Sequence, residues 1–183
     1  MCIRDRDDRC GCVAVIRAAE LIRNYWRENH LEPIGLTVLL SAQEETGGLG
    51  AATASFGIRP TQAIVVDVTF GTTPEIADRH CGDLNKGPMI GLGATLSRRM
   101  ARELMEAGKQ EKIPYQVEAM GGGHTGTDAD GIVKAADGIE SVCVSIPERY
   151  MHTPIEVISV RDVDDTAALI AAYAKRMADS QNR

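Results

Sequence analysis

Two adjacent glutamates, Glu44 and Glu45, carry the clearest chemical signal in this sequence. They follow the short apolar run 35–41, which is typical of a strand buried on both faces. Adjacent side chains point in different directions. One glutamate can therefore coordinate a metal ion while the other takes a proton from an attacking water and passes it to a leaving group. Taken alone, the pair also fits a solvated surface, so its interpretation depends on the residues that accompany it.

Three further residues that could bind a metal also lie at the ends of predicted strands or helices. Asp67 ends the apolar run 63–66, His152 follows the run 141–146, and Asp7 lies just before a long helical pattern. Functional residues of open α/β sheets gather at the carboxyl ends of strands. Carboxylates and imidazole suit a borderline divalent metal such as zinc or cobalt, and one carboxylate can bridge two such ions. Their occurrence together favours a metal site.

Each residue also has a structural interpretation. Asp67 could cap the turn after its strand, which is a common use of aspartate. Asp7 and Asp8 could form an N-cap pair for the first helix, and Asp128 could cap a later one. His152, beside a proline, could be a surface loop residue. The residue types alone do not decide between these structural roles and metal binding.

The elements that must position these residues alternate along the chain. Helical periodicity predicts helices over residues 11–28, 49–56, 96–108, 128–136 and 163–177. Apolar runs predict strands over residues 35–41, 63–66, 114–120, 141–146 and 155–159, with residues 71–93 irregular. This alternation predicts an α/β fold, a three-layer sandwich around a mostly parallel mixed sheet. The 183 residues suit one domain, without an internal repeat or a dividing linker.

Composition excludes several classes of function. The net charge is −6 and the basic residues are scattered, so neither nucleic acid nor an anionic membrane is an expected partner. No apolar stretch approaches the length of a membrane span. The five cysteines are odd in number and irregularly spaced, which favours free thiols in a reducing cytoplasm over a disulfide framework. A cytoplasmic globular protein is the expectation.

The motifs, taken in order, resemble those of the tetrahedral and glutamyl aminopeptidases, family forty-two of the metallopeptidases, whose members are sometimes labelled endoglucanases. The matching segments are Asp7-Asp8-Arg9, Ser41-Ala42-Gln43-Glu44-Glu45-Thr46-Gly47-Gly48-Leu49-Gly50-Ala51, Val66-Asp67-Val68, Gly126-Thr127-Asp128-Ala129 and Arg149-Tyr150-Met151-His152-Thr153-Pro154. They cover almost the whole chain after Arg6. The glutamate pair together with the downstream histidine segment is the specific part of this resemblance.

The resemblance implies a zinc-peptidase-like catalytic domain with two divalent metal ions, zinc or cobalt, which removes N-terminal residues from peptides. Glu44 would be the general base and acid. Asp7 would bridge both ions, Glu45 and His152 would bind one of them, and Asp67 would bind the other. The resemblance also implies a homo-oligomer for the full-length protein.

Two further residues are predicted to contact the substrate. Asp128 matches a family position near the site, although the resemblance assigns it no specific role. His124 lies in a glycine-rich loop near the predicted site, after the glycines at 121–123.

The sequence departs from the family at its beginning. The family's remaining ligand is a histidine in an N-terminal His-x-Asp motif, and no such motif precedes Asp7. The small inserted domain that the family uses in assembly would also lie upstream. Residues 1–6 are therefore predicted to be an artefactual leader, and residues 7–183 the C-terminal part of a truncated catalytic domain. One ion would keep three protein ligands, and the other would keep Asp7 and Asp67.

Two alternatives stand beside the aminopeptidase. One is a related two-metal deacylase or dipeptidase, which would share the sheet and the metals. The other is a catalytically inert fragment, in which the loss of upstream strands leaves an apolar sheet edge uncovered.

Overall fold

Helices and strands alternate in the computed structural model, which describes residues 6–31, 34–74 and 81–181. The helices are α1 (Arg9–Glu28), α2 (Leu49–Ile58), α3 (Arg98–Glu111), α4 (Ala129–Ile132) and α5 (Val160–Gln181). The strands are β1 (Gln62–Phe70), β2 (Met89–Leu92), β3 (Gln116–Ala119), β4 (Glu140–Arg149) and β5 (Val157–Ile158). Within these residues no helix is both long and apolar enough to cross a membrane.

The strands form one mixed sheet in the order β1-β4-β2-β3, with β5 paired to β4. Strands β1 and β4 run parallel over nine residue pairs, and β2 and β3 run parallel over four. Strand β4 pairs antiparallel with β2 and with β5 over two residue pairs each. Most of the pairing is therefore parallel, as the sequence predicted. Strand β4 is buried along nearly its whole length, which fits the mostly apolar residues 141–146.

Helices cover both faces of the sheet, which confirms the predicted sandwich. Helices α1, α3 and α5 pack on one face, where they contact side chains such as Ile64 and Val144. Helices α2 and α4 pack on the other face, against Val65 and Cys143. The alternation of Ile64 and Val65 between the two layers follows the two-residue period of a strand.

Helix α1 buries one residue in every four along its length. Cys10, Ala14, Ala18, Ile22 and Trp26 are buried at this spacing on one side of the helix, and Gly11 is buried beside them. This side packs against α5, which contributes Ala171 to the same cluster. The N-terminus of α1 lies beside the last part of β4, where Cys10 belongs to a buried cluster with Ile146.

The predicted strand 35–41 is wrong. Residues 34–40 form no strand, and Leu40 is 54% exposed. Strand β1 pairs on one side with β4 and stands at the end of the strand order, so its other edge has no strand partner among the described residues. Backbone groups need a ladder partner to make a strand, and this apolar run lacks one within the described chain.

Other boundaries shift by smaller amounts. Strand β1 continues to Phe70, so Asp67 lies inside the strand rather than at its end. Strand β2 falls within the stretch predicted to be irregular, because Pro88 and Gly91 disguise its apolar pattern. Helix α4 is shorter than predicted. The predicted leader falls almost entirely on residues 1–5, outside the described chain, and the domain division stays a prediction.

Candidate active site

The two aspartates before α1 have separate structural positions. Asp8 is the N-cap of the helix, and its Oδ1 accepts a hydrogen bond from Gly11 N at 2.8 Å. Asp7 makes a different contact, with its Oδ2 lying 2.9 Å from Nε2 of His152. The capping alternative therefore applies to Asp8, while the Asp7 carboxylate faces the loop that follows β4.

Asp7, Glu45 and His152 form a compact group. One ligand atom from each lies within 4.8 Å of the other two, and His152 Nε2 is 3.5 Å from Glu45 Oε2. Side-chain exposure is 64% for His152 and 59% for Glu45, against 9% for Asp7. Two carboxylates and an imidazole form a donor set that zinc and similar ions accept. The structure thus brings together three of the four predicted ligands at an accessible place.

Glu44 lies beside this group on the wall of a cleft. The cleft has a volume of about 280 Å³ and is lined by Glu44, Glu45, Gly47, Gly48, Gly126, Thr127, Asp130 and Gly131. Burial raises the pKa of Glu44 above its usual range, and the negative charges of Glu45, Asp128 and Asp7 act in the same direction. A carboxylate with a raised pKa holds a proton more readily, as a general base and acid requires.

Asp67 lies deeper, inside β1. Its Oδ1 accepts a hydrogen bond from Val68 N at 2.8 Å. Burial, together with the negative charges of Asp8, Glu44 and Asp7, raises the pKa of Asp67 to about 9. Asp67 is not one of the three mutually close ligands described above, but it belongs to the same acidic region.

The region carries an excess of acidic groups. Burial raises the pKa of Asp7 to about 6, with the charge of Glu45 adding to the effect and that of His152 opposing it. Burial likewise raises the pKa of Asp8 to about 7, and Asp7 and Glu44 add to this shift. Bound divalent cations are often the largest charges in such a site and reverse these shifts. The charge balance therefore fits a metal centre.

The two predicted substrate residues have different surroundings. Asp128 is buried and accepts a hydrogen bond from the Ser41 hydroxyl, while making no side-chain capping bond to α4. It thereby ties the segment before Glu44 to the N-terminus of α4. His124 is exposed and is not among the residues that line the cleft. A substrate contact for either residue stays a prediction.

Sequence reasoning missed two acidic residues close to Asp7. Glu148 near the end of β4 and Glu156 before β5 are buried, and each has an oxygen within 4.8 Å of the other and of Asp7. One weak signal was present, because Glu148 directly follows the apolar run 141–146 and Pro147, and glutamate is seldom fully buried. Asp130 and Thr127, which line the cleft, were also missed.

A glycine at the start of α2 fixes the segment before the glutamate pair. Gly50 N donates a hydrogen bond to Ala42 O at 3.1 Å. A Cβ atom on Gly50 would lie 2.3 Å from that carbonyl oxygen and 2.7 Å from Ala42 N. The helix and the segment can approach this closely because residue 50 has no side chain.

Gly50→Ala is therefore expected to destabilise the protein by about 1–3 kcal/mol, since the backbone of residue 42 must move. Gly57→Ala is the matched control in the same helix, because a Cβ atom there meets nothing within 4 Å. That change should be neutral or stabilising by up to about 1 kcal/mol. Urea unfolding of both variants measures the difference, and equal stabilities would show that the close approach at Gly50 does not constrain the segment.

Comparison with known proteins identifies the family. The sequence profile of the M42 glutamyl aminopeptidases matches residues 2–169. The chain belongs to the M42 glutamyl aminopeptidase family. It is 34% identical over 171 residues to the lysyl aminopeptidase of Pyrococcus furiosus, an alignment that covers 93% of this chain and 47% of the relative.

Solved structures agree with this assignment to the M42 family. An aminopeptidase from the archaeon Desulfurococcus kamchatkensis superimposes with a TM-score of 0.77 at 31% identity, covering 91% of this chain and 46% of the other. The TET1 peptidase of Pyrococcus horikoshii, which can assemble into a tetrahedron or a large octahedral shell, gives 0.72 at 28% identity, with 94% and 49% covered. The chain spans about half the length of the curated relatives it matches.

Proposed function

We propose that the protein is a two-metal aminopeptidase that hydrolyses N-terminal residues from peptides. The observation that carries this proposal is the group formed by Asp7, Glu45 and His152 beside Glu44, at the edge of an open cleft, in a chain of the M42 family. The cleft gives an extended peptide end access to the group.

The residues present fit a divalent metal ion. Asp7, Glu45 and His152 would hold one ion, and Asp7 and Asp67 would contribute to the site of a second. A donor set that mixes imidazole with carboxylates favours zinc or cobalt. Such an ion supplies Lewis-acid polarisation of the scissile carbonyl and lowers the pKa of water.

Glu44 supplies the proton transfer. Its carboxylate accepts a proton from the attacking water and returns it to the nitrogen of the leaving amine. Burial and the neighbouring charges of Glu45 and Asp128, which raise its pKa, favour the protonated state that the second step needs. The acidic surroundings also favour the positively charged N-terminus of a peptide over a neutral acylated end.

We also propose the substrates, the assembly and the location of the protein. Peptides are the substrates, and the complete protein forms a homo-oligomer in the cytoplasm. Support for assembly comes from the TET1 relative, which can form a tetrahedron or a large octahedral shell. The exposed apolar run 36–40 also supports it, because apolar surface of this kind often marks a protein interface.

A substrate panel tests the activity. After chelator treatment and addition of Zn²⁺ or Co²⁺, the protein is expected to hydrolyse aminoacyl anilides and to leave N-acyl amino acids intact. Preferential hydrolysis of the N-acyl compounds would instead indicate a deacylase. Metal uptake without hydrolysis of either class would indicate an inert fragment.

Cobalt binding tests the metal group independently of turnover. His152→Ala should weaken Co²⁺ uptake, measured by its visible absorption, by at least about tenfold, since it removes the nitrogen ligand. His30→Ala is the matched control, because His30 is exposed at the end of α1. Equal Co²⁺ affinity in both variants would contradict the proposed ligand set.

A further inference from the structure

A second group of carboxylates also includes Asp7 and differs from the first group in composition and in burial. Asp7, Glu148 and Glu156 each offer an oxygen, and these three atoms lie within 4.8 Å of one another. Glu148 is 1% exposed and Glu156 is 8% exposed. The donors are oxygens throughout, whereas the first group includes an imidazole nitrogen.

The buried carboxylate of Glu148 indicates that this group binds a ligand. It belongs to β4, where it faces Phe70 of β1 in register and pairs with Ile158 of β5. Both of its carboxylate oxygens are fully buried, and neither has a hydrogen-bond partner in the described chain. A buried charge without a partner is strongly unfavourable, so native proteins compensate it with a donor, an ion pair or a metal.

Another buried acid shows how this fold compensates a carboxylate when no ion is needed. Asp162 is completely buried, and its two oxygens accept hydrogen bonds from Asn85 N and Gly87 N at 2.8 and 2.9 Å. Glu148 has no comparable donors within the described residues. The contrast separates a structural carboxylate from one whose oxygens remain available for coordination.

The local charges favour a bound cation. Arg6 precedes Asp7, and its backbone N–H donates to Glu156 Oε2 at 2.7 Å. Three carboxylates gathered in this way make the group rich in negative charge when they ionise, and a divalent cation would reduce that charge.

We propose that Asp7, Glu148 and Glu156 bind an additional divalent cation of the oxygen-preferring class, represented by Mn²⁺, Mg²⁺ or Ca²⁺. Carboxylate-only donor sets select such ions over zinc. Asp7 belongs to both groups, so this ion would lie next to the centre that contains His152. The site requires no peptidase activity and can be tested apart from it.

Manganese titration followed by electron paramagnetic resonance tests the site in metal-stripped protein. Wild-type chain is expected to bind Mn²⁺ saturably, and Glu148→Gln should weaken this binding at least about tenfold by removing a charged ligand. Glu28→Gln, at an exposed position in α1, is the control and should bind as wild type does. Co²⁺ uptake at the His152 group should stay unchanged in Glu148→Gln.

The outcomes separate this site from the proposed aminopeptidase. Wild-type Mn²⁺ affinity in Glu148→Gln, or Mn²⁺ binding that His152→Ala removes, would overturn the additional site and leave the aminopeptidase intact. Loss of Co²⁺ binding in His152→Ala with Mn²⁺ binding retained supports two distinct ions. If Glu148→Gln fails to fold, Glu156→Gln and displacement of Mn²⁺ by Ca²⁺ in the wild type provide the test. An absence of saturable Mn²⁺ binding in the folded wild type overturns the proposal.

Discussion

Glu44→Gln is expected to lower kcat of the metal-loaded enzyme by about 10²–10⁴-fold, which is the range that a positioned general base contributes. Glutamine preserves the shape of the side chain and cannot accept the proton of the attacking water. Glu44 does not belong to the group formed by Asp7, Glu45 and His152, so metal affinity should change little. The measurement is steady-state hydrolysis of an aminoacyl anilide alongside Co²⁺ uptake.

The adjacent residue provides the sharpest control for Glu44. Glu45→Gln changes the same chemical group one position along the chain, but Glu45 Oε2 lies 3.5 Å from His152 Nε2 within the proposed ligand set. This variant should lose metal affinity and activity together. A Glu44→Gln variant with wild-type kcat, or one that loses metal first, would show that the proposed division of roles within the pair is wrong.

The helices and most of the sheet could be predicted because their patterns are local. Helix α1 was predicted from apolar residues at near-helical spacing, such as Val13, Ile16 and Ile22, which identify a helix without tertiary information. The buried side was not predicted, since Val13 and Ile16 are exposed. The run 35–41 shows the limit of such reasoning. Its apolar residues predict a strand, but a strand depends on a neighbour distant in sequence, and the described chain provides none beside it. Strand β2 was missed for the related reason that glycine and proline conceal a short pattern.

In the candidate site, too, some features could be predicted from the sequence and others could not. Asp7, Glu45 and His152 come together from the segments before α1, before α2 and after β4, although the strand predicted before Glu45 is absent from the described residues. The closeness of Glu148 to Asp7 could not be predicted from sequence, since its neighbours depend on the register of β4 beside β1 and β5. The depth of Asp67 was also missed, because β1 continues for three residues beyond it. Side chains within a strand take their neighbours from sheet pairing, which a local pattern does not encode.

Asp162→Ala is expected to destabilise the protein by about 3–6 kcal/mol, because two hydrogen bonds to a charged acceptor contribute roughly 1.5–3 kcal/mol each. Asp162 lies in the first turn of α5, where a carboxylate also interacts favourably with the helix dipole. Its carboxylate accepts hydrogen bonds from Asn85 N and Gly87 N, and alanine would leave both donors without this acceptor. Urea unfolding measures the loss.

Asp164→Ala is the matched control, two residues further along the same helix. Asp164 pairs with Arg17 at 3.2 Å, but its side chain is 52% exposed, so its removal should cost less than about 1 kcal/mol. Asp162→Asn keeps one acceptor oxygen and should fall between the two. Because residues 85–87 lead directly into β2, Asp162→Ala should also loosen the antiparallel contact of β2 with β4, which amide exchange at Ile90 can detect. Equal stability of the Asp162→Ala and Asp164→Ala variants would show that Asp162 does not anchor this segment.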